Sequence, residues 1–160
     1  MERERSIRAY LKGFVAYRAS LVQILYNEAG RPPVTGETSF TDVKEGKWYY
    51  NAILWAEQNR VTFGIGGGKF GPDSSVTREQ MVTILYNYEN KPEADRTVLE
   101  RYPDADQIDD WAMDGMAWAV GEEVIVGAQN ENGSVYLEPR KNATRAQAAV
   151  VLSKYFTENP

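Results

Sequence analysis

One arginine recurs at the same position in three similar segments of the chain: Arg18, Arg78 and Arg145. A planar guanidinium can bind an anion through two parallel hydrogen bonds, and free amides at a helix start would strengthen that binding. The alternative is structural, in which each arginine forms a salt bridge with a neighbouring carboxylate. The helix dipole disfavours a cation in the first turn of a helix, so an arginine that recurs at a helix start requires one of these two explanations.

Two tryptophans and two aspartates also recur and add candidate contacts to a ligand. Trp48 and Trp111 offer flat faces on which a sugar could stack, although aromatic residues at helical spacing more often lie in the core. Asp42 and Asp104 precede these tryptophans, and a turn or cap role is the interpretation that their position favours. Together with the three arginines, these four residues form the predicted ligand site.

The composition excludes most other chemistry. The 160-residue chain has no cysteine and no histidine, which removes thiolate nucleophiles, disulfides, imidazole bases and nearly all transition-metal sites. Its formal net charge of -5 and pI of about 4.9 argue against a nucleic-acid partner, which needs clustered Lys and Arg. No apolar run reaches the length of a membrane span. We therefore predict no metal, no cofactor and no membrane insertion.

Carboxylates are the reactive groups that remain, and they do not suggest an enzyme. Glycosidases need two carboxyl groups that face each other across a cleft. An acidic run before a helix is instead typical of a solvated cap that complements the helix dipole. The glycine-rich segment at 64–69 matches neither the dinucleotide-binding pattern nor the P-loop pattern. The densest acidic run comprises Asp104, Asp106, Asp109 and Asp110.

The candidate residues lie in an internal repeat of two full copies and one half copy. The segment from Trp48 to Gly64 aligns without a gap with the segment from Trp111 to Gly127, at an offset of 63 residues. Each full copy has the pattern of a helix, a loop and a second helix. The second helix begins with a capping box, formed by Thr77 with Gln80 and by Thr144 with Gln147.

The half copy at the N-terminus departs from this pattern. Tyr17 and Ser20 stand where the capping threonine and its glutamine are expected, and apolar residues keep helical phase on both sides. The sequence therefore predicts one continuous amphipathic helix from about Glu4 to Glu28, with Arg18 in its middle. We expect three units packed together as one domain: residues 1–34, 40–90 and 102–156.

The order of the repeated positions resembles that of a known family. The pattern is Phe40-x-Asp42-Val, Trp48, Ala52, Gly64, Phe70-x-Pro72 and Thr77-Arg-x-Gln80, with a similar copy at 102–155. It resembles the S-layer homology domain. The resemblance implies a mainly α fold in which the repeats pack as a pseudo-symmetric helical bundle. It also implies that grooves between neighbouring repeats bind secondary cell-wall polysaccharide, often pyruvate-modified. The resemblance places the recurring arginine in each groove, with Asp42 and Asp104 as acceptors for sugar hydroxyls.

The resemblance implies a non-catalytic anchor that binds an anionic or pyruvylated cell-wall polysaccharide. Such a module would be extracellular, in a bacterial cell wall or S-layer. No apolar signal segment follows the charged N-terminus, so a cytoplasmic location is expected if the chain is full length. The alternative is a protein that kept the fold, lost wall binding and acts inside the cell as a protein interaction module or inhibitor.

Overall fold

The computed structural model describes residues 16–158, and within them the chain is mainly helical, as predicted. The α-helices are α1 (Arg18–Glu28), α2 (Tyr50–Gln58), α3 (Arg78–Tyr88), α4 (Met113–Gly121) and α5 (Arg145–Glu158). Short 3-10 helices lie between α3 and α4, at Arg96–Leu99, Ala105–Gln107 and Asp110–Ala112. A small antiparallel hairpin pairs β1 (Ala128–Gln129) with β2 (Val135–Tyr136).

The short extended segments that precede α1, α3 and α5 pair with one another. Tyr17 forms an antiparallel bridge with Ser75, and Thr77 forms another with Asn142. The backbone of Val76, which lies between these bridges, hydrogen-bonds to both outer segments. The three second helices of the repeats therefore begin side by side, and their N-terminal residues are brought close to the loops of the neighbouring copies.

The predicted continuous helix through Tyr17 is wrong. Tyr17 has extended backbone angles (φ -78°, ψ 148°), and α1 begins at Arg18. The amide of Arg18 donates to the carbonyl of Ser74 at 3.1 Å, and the amide of Ala19 donates to that of Pro72 at 3.3 Å. Carbonyls of a distant loop thus satisfy the first two amides of α1, although Tyr17 provides no capping side chain. The part of the predicted helix before residue 16 lies outside the described residues.

The two predicted capping boxes are confirmed. Thr77 Oγ1 accepts a hydrogen bond from the amide of Gln80 at 3.2 Å, and Gln80 Oε1 accepts one from the amide of Thr77 at 3.1 Å. Thr144 and Gln147 repeat this arrangement at 3.1 and 3.0 Å. Each box joins residues three positions apart, so α3 and α5 begin where the local sequence predicts.

Aromatic rings from all five helices meet in the core. Trp55 and Trp118, whose helical spacing predicts core positions, are buried. Neighbouring rings run in the order Tyr26, Trp55, Tyr88, Tyr155 and Trp118, with centroids 5.6–6.3 Å apart. These tilted and edge-on contacts tie α1 to α5 into one hydrophobic core.

Candidate functional site

Arg18 and Arg78 are buried and bond to backbone carbonyls in the loop of the following copy. Each exposes 3% of its surface. Arg18 Nε donates to the carbonyl of Phe70 at 2.8 Å. Arg78 Nε donates to the carbonyl of Leu137 at 2.7 Å, and its Nη2 donates to that of Val126 at 3.1 Å. Among residues 16–158, neither arginine forms the salt bridge that the structural alternative expected, and carbonyl oxygens take the place of the carboxylate.

Burial weakens the basicity of both guanidinium groups. It lowers the pKa of Arg18 to about 10, while the charge of Asp42 acts in the opposite direction. Burial also lowers the pKa of Arg78, against the opposing charges of Glu138 and Asp104. Both arginines stay cationic at neutral pH, and their charge is held in place by carbonyl dipoles and nearby carboxylates.

The helix-start amides are not free to help bind an anion, contrary to the expectation from the sequence. In α3 the amide of Arg78 donates to the carbonyl of Lys141, and the amide of Glu79 donates to that of Pro139, both at 2.9 Å. The first two amides of α1 are occupied in the same way, as described above. These helix-start amides are therefore not available to an anion that approaches Arg18 or Arg78.

Asp42 and Asp104 hold the loops that contact these arginines. The two carboxylate oxygens of Asp42 accept from the amides of Phe70 and Gly71, each at 2.8 Å. Those of Asp104 accept from Leu137 at 2.9 Å and from Glu138 at 2.7 Å. Burial raises the pKa of Asp42, but the amides of Phe70, Gly71 and Asp42 itself, together with the charge of Lys69, hold that pKa below its ordinary value.

The carboxylates, the loops and the arginines form one connected unit in each case. Asp104 binds the amide of Leu137, and the carbonyl of the same residue accepts from Arg78. Asp42, Phe70 and Arg18 form the equivalent unit. Both aspartates therefore have the turn role that their position in the sequence favours, and neither lines the grooves described next.

A groove of about 450 Å³ opens above Arg18. Its lining comes from three copies of the repeat, because α1 supplies Arg18, the next copy supplies a loop and α3, and the last copy supplies Trp111. We call it the Arg18 groove; it is lined by Arg18, residues 61–65, Gln80, Thr83, Ile84, Asn87, Lys91 and Trp111. The buried guanidinium forms part of its floor, and exposed side chains form its rim.

A second groove of about 280 Å³ lies at the equivalent place above Arg78. We call it the Arg78 groove; it is lined by Arg78, residues 124–128, Ala146, Gln147, Val150, Val151 and Lys154. Most of these side chains are aliphatic. The structure thus places Arg18 and Arg78 in similar positions within two grooves of different chemistry.

Trp48 and Trp111 are both more than half exposed, so they do not belong to the core. Trp111 lines the Arg18 groove and has a free face for a ligand, whereas Trp48 lines neither groove. Trp48 instead makes an edge contact with Tyr49 at a centroid distance of 5.2 Å. The third arginine, Arg145, is half-buried as the first residue of α5.

Two residues of the Arg18 groove were missed by reasoning from the sequence. Phe63 is 64% exposed, and Lys91 lies with Nζ 5.5 Å from the centre of its ring. For Phe63, the available signal in the sequence was its position as a large aromatic residue directly before the turn glycine Gly64. Lys91 follows the C-terminus of α3, and nothing in its own position along the sequence points to the groove.

Residues 16–158 contain no cluster of three or more acidic side chains placed to hold a metal ion. No helix there is both long and apolar enough to cross a membrane.

Comparison with known proteins identifies the repeat. The sequence profile of the S-layer homology domain matches residues 39–82 and 101–149. The chain belongs to the S-layer homology domain family. This confirms the resemblance drawn from the repeated Phe, Asp, Trp and Thr-Arg-x-Gln positions.

Relatives with the same domain are long surface proteins and enzymes. The chain is 34% identical over 120 residues to the surface-layer 125 kDa protein of Lysinibacillus sphaericus, covering 74% of this chain and 10% of that protein. It is 32% identical to an endoglucanase of Bacillus sp., covering 85% of this chain and 14% of that protein. It is 24% identical to the cellulosome-anchoring protein of Acetivibrio thermocellus, covering 84% of this chain and 29% of that protein. The match thus spans less than a third of the length of each of these relatives.

Proposed function

We propose that this chain is a non-catalytic module that anchors a protein to the bacterial cell wall by binding secondary cell-wall polysaccharide. Family membership supports the anchoring role, and relatives named for a surface layer and for anchoring support the location outside the cell. The full copies and the half copy would form one pseudo-symmetric helical bundle. The matched units of Asp42 with Arg18 and of Asp104 with Arg78 support that arrangement.

The Arg18 groove is the observation that carries this proposal. It combines a buried cation with the exposed faces of Phe63 and Trp111. An aromatic face suits the apolar side of a sugar ring, and a guanidinium suits an anionic substituent such as a pyruvate ketal. Exposed apolar groups around a polar floor are typical of a ligand-binding groove, since a folded chain otherwise buries such groups.

A wall-pelleting assay tests the proposal. The purified chain is mixed with cell walls of the organisms of the three relatives, before and after extraction of the secondary polymer with hydrofluoric acid. We expect the chain to sediment with intact walls and to stay in solution with extracted walls. Mild acid removal of pyruvate ketals should weaken sedimentation if the anionic substituent is recognised. A chain that sediments with none of the intact walls, or equally with extracted walls, would refute the proposal.

A further inference from the structure

The two grooves have diverged at positions that the repeat makes equivalent. The offset of 63 residues pairs Phe63 of the Arg18 groove with Val126 of the Arg78 groove. Both side chains are exposed, so the change from phenylalanine to valine alters the groove surface that a ligand contacts and leaves the core unchanged. The aromatic face present in one groove is thus replaced by a small aliphatic surface in the other.

The two buried arginines also differ in what they can offer a ligand. In the described residues Arg18 uses only Nε, toward Phe70, so both terminal nitrogens remain available to a bound anion. Arg78 uses Nε and Nη2, the latter toward the carbonyl of Val126. A guanidinium has five N–H donors, and each of these bonds uses one of them. Arg78 therefore offers a ligand one donor fewer than Arg18, and two bonds instead of one fix its guanidinium to the loop.

The rim of the Arg18 groove has a second cation and a second aromatic ring. Lys91 lies over Phe63, and Trp111 comes from the following copy. Among the described residues that line the Arg78 groove there is no aromatic side chain. Its own lysine, Lys154, is directed toward the carbonyl of Glu123 at 3.4 Å.

We infer that, of these two grooves, only the Arg18 groove binds the anionic saccharide, and that Phe63, Lys91 and Trp111 decide this selectivity. The inference rests on the proposed function. Arg18 supplies the charge at the floor, the two rings cover the apolar face of a sugar, and Lys91 adds attraction for its anionic group. The Arg78 groove has aliphatic walls, no aromatic face and a guanidinium that forms two bonds to its own loop, and it does not bind this ligand.

The test compares substitutions in the Arg18 groove with matched substitutions in the Arg78 groove or, for Trp48, outside both grooves. Phe63→Val is matched with Val126→Phe, Lys91→Gln with Lys154→Gln, and Trp111→Ala with Trp48→Ala. The probe is a short oligosaccharide released with hydrofluoric acid from the walls used in the pelleting assay. Isothermal titration calorimetry gives the dissociation constant and the stoichiometry. Thermal unfolding shows that each variant is folded, which is expected because all six side chains lie at the surface or the groove rim.

We expect one bound oligosaccharide per chain. Trp111→Ala and Phe63→Val should each weaken binding roughly tenfold, because each removes a ring face. Lys91→Gln should weaken it by about two- to fivefold at low salt and less at high salt, since an exposed charge is screened. The three matched partners should change the dissociation constant by less than about twofold, within the error of such comparisons.

Each contrary result has a distinct meaning. Two bound oligosaccharides per chain, or losses in the partner variants equal to those in the Arg18 groove, would overturn the inference and leave wall binding intact. Unchanged binding in all three Arg18-groove variants would overturn it as well. Failure of the unaltered chain to sediment with intact walls refutes the proposed function itself, and that result is read from the pelleting assay before any variant is made.

Discussion

Removal of the Asp104 carboxylate should strongly destabilise the fold. Asp104 is 4% exposed, and its two oxygens accept from the amides of Leu137 and Glu138. In Asp104→Ala both amides lose a charged partner, and the amide of Leu137 is buried where water cannot replace it. A hydrogen bond to a charged group contributes about 1.5–3 kcal/mol, so two such bonds give about 3–6 kcal/mol.

Two further effects adjust this magnitude in opposite directions. The variant no longer buries a carboxylate, which returns part of the desolvation cost and favours the lower end of the range. The carbonyl of Leu137 also accepts from Arg78, so a displaced loop weakens that bond too. We therefore expect a loss of about 3–4 kcal/mol in the free energy of unfolding, a large part of the total for a domain of this size.

Urea unfolding followed by tryptophan fluorescence and circular dichroism measures the effect. Asp106→Ala is the matched control, because Asp106 lies two residues away and is exposed. It should change the free energy of unfolding by less than about 0.5 kcal/mol. If Asp104→Ala is no more destabilising than Asp106→Ala, the carboxylate does not hold the loop. A double-mutant cycle with Arg78→Met should also show a coupling energy of about 0.5–3 kcal/mol.

Three other substitutions test local features of the structure. Gly64→Ala should lower the free energy of unfolding, measured by thermal unfolding, by at least about 2 kcal/mol, because a Cβ there would collide with the carbonyl oxygen of Lys69. Gly66→Ala is the control: Gly66 also has a positive φ but has open space around it, so the loss should be only about 1 kcal/mol. Thr77→Ala removes a capping box and should lose about 1 kcal/mol, so an unchanged urea midpoint would contradict the cap. Asp42→Asn should be less stable than the parent chain at neutral pH. Because the pKa of Asp42 is lowered by folding from 3.8, its contribution is full above that pH and is lost as the pH falls through the folded value; the gap between parent and variant should therefore close in acid.

The candidate site was only partly predictable. The seven predicted residues include Arg18, Arg78 and Trp111, which the structure places in the two grooves. The sequence does not reveal that each buried arginine bonds to a carbonyl more than forty residues away, nor that Lys91 lies over the ring of Phe63. Such contacts depend on how copies of the repeat pack, and no spacing within one copy encodes them.

The sequence by itself determined the elements whose causes are local. The capping boxes at Thr77 and Thr144 join residues one helical turn apart, and the buried positions of Trp55 and Trp118 follow from helical spacing. The family could be identified for the same reason, because the repeat preserves these short patterns in order.

Only the tertiary structure decided where α1 begins and how many bonds each buried guanidinium forms with its loop. A continuous helix was the sensible prediction, since Tyr17 is no capping residue and the apolar pattern continues through it. The amides of Arg18 and Ala19 instead find carbonyls in residues 72–74, and an extended Tyr17 can bridge to Ser75. These hydrogen bonds join residues far apart in the sequence and form only when the copies pack. They outweigh the local preference for a continuous helix, because that preference contributes little free energy by itself.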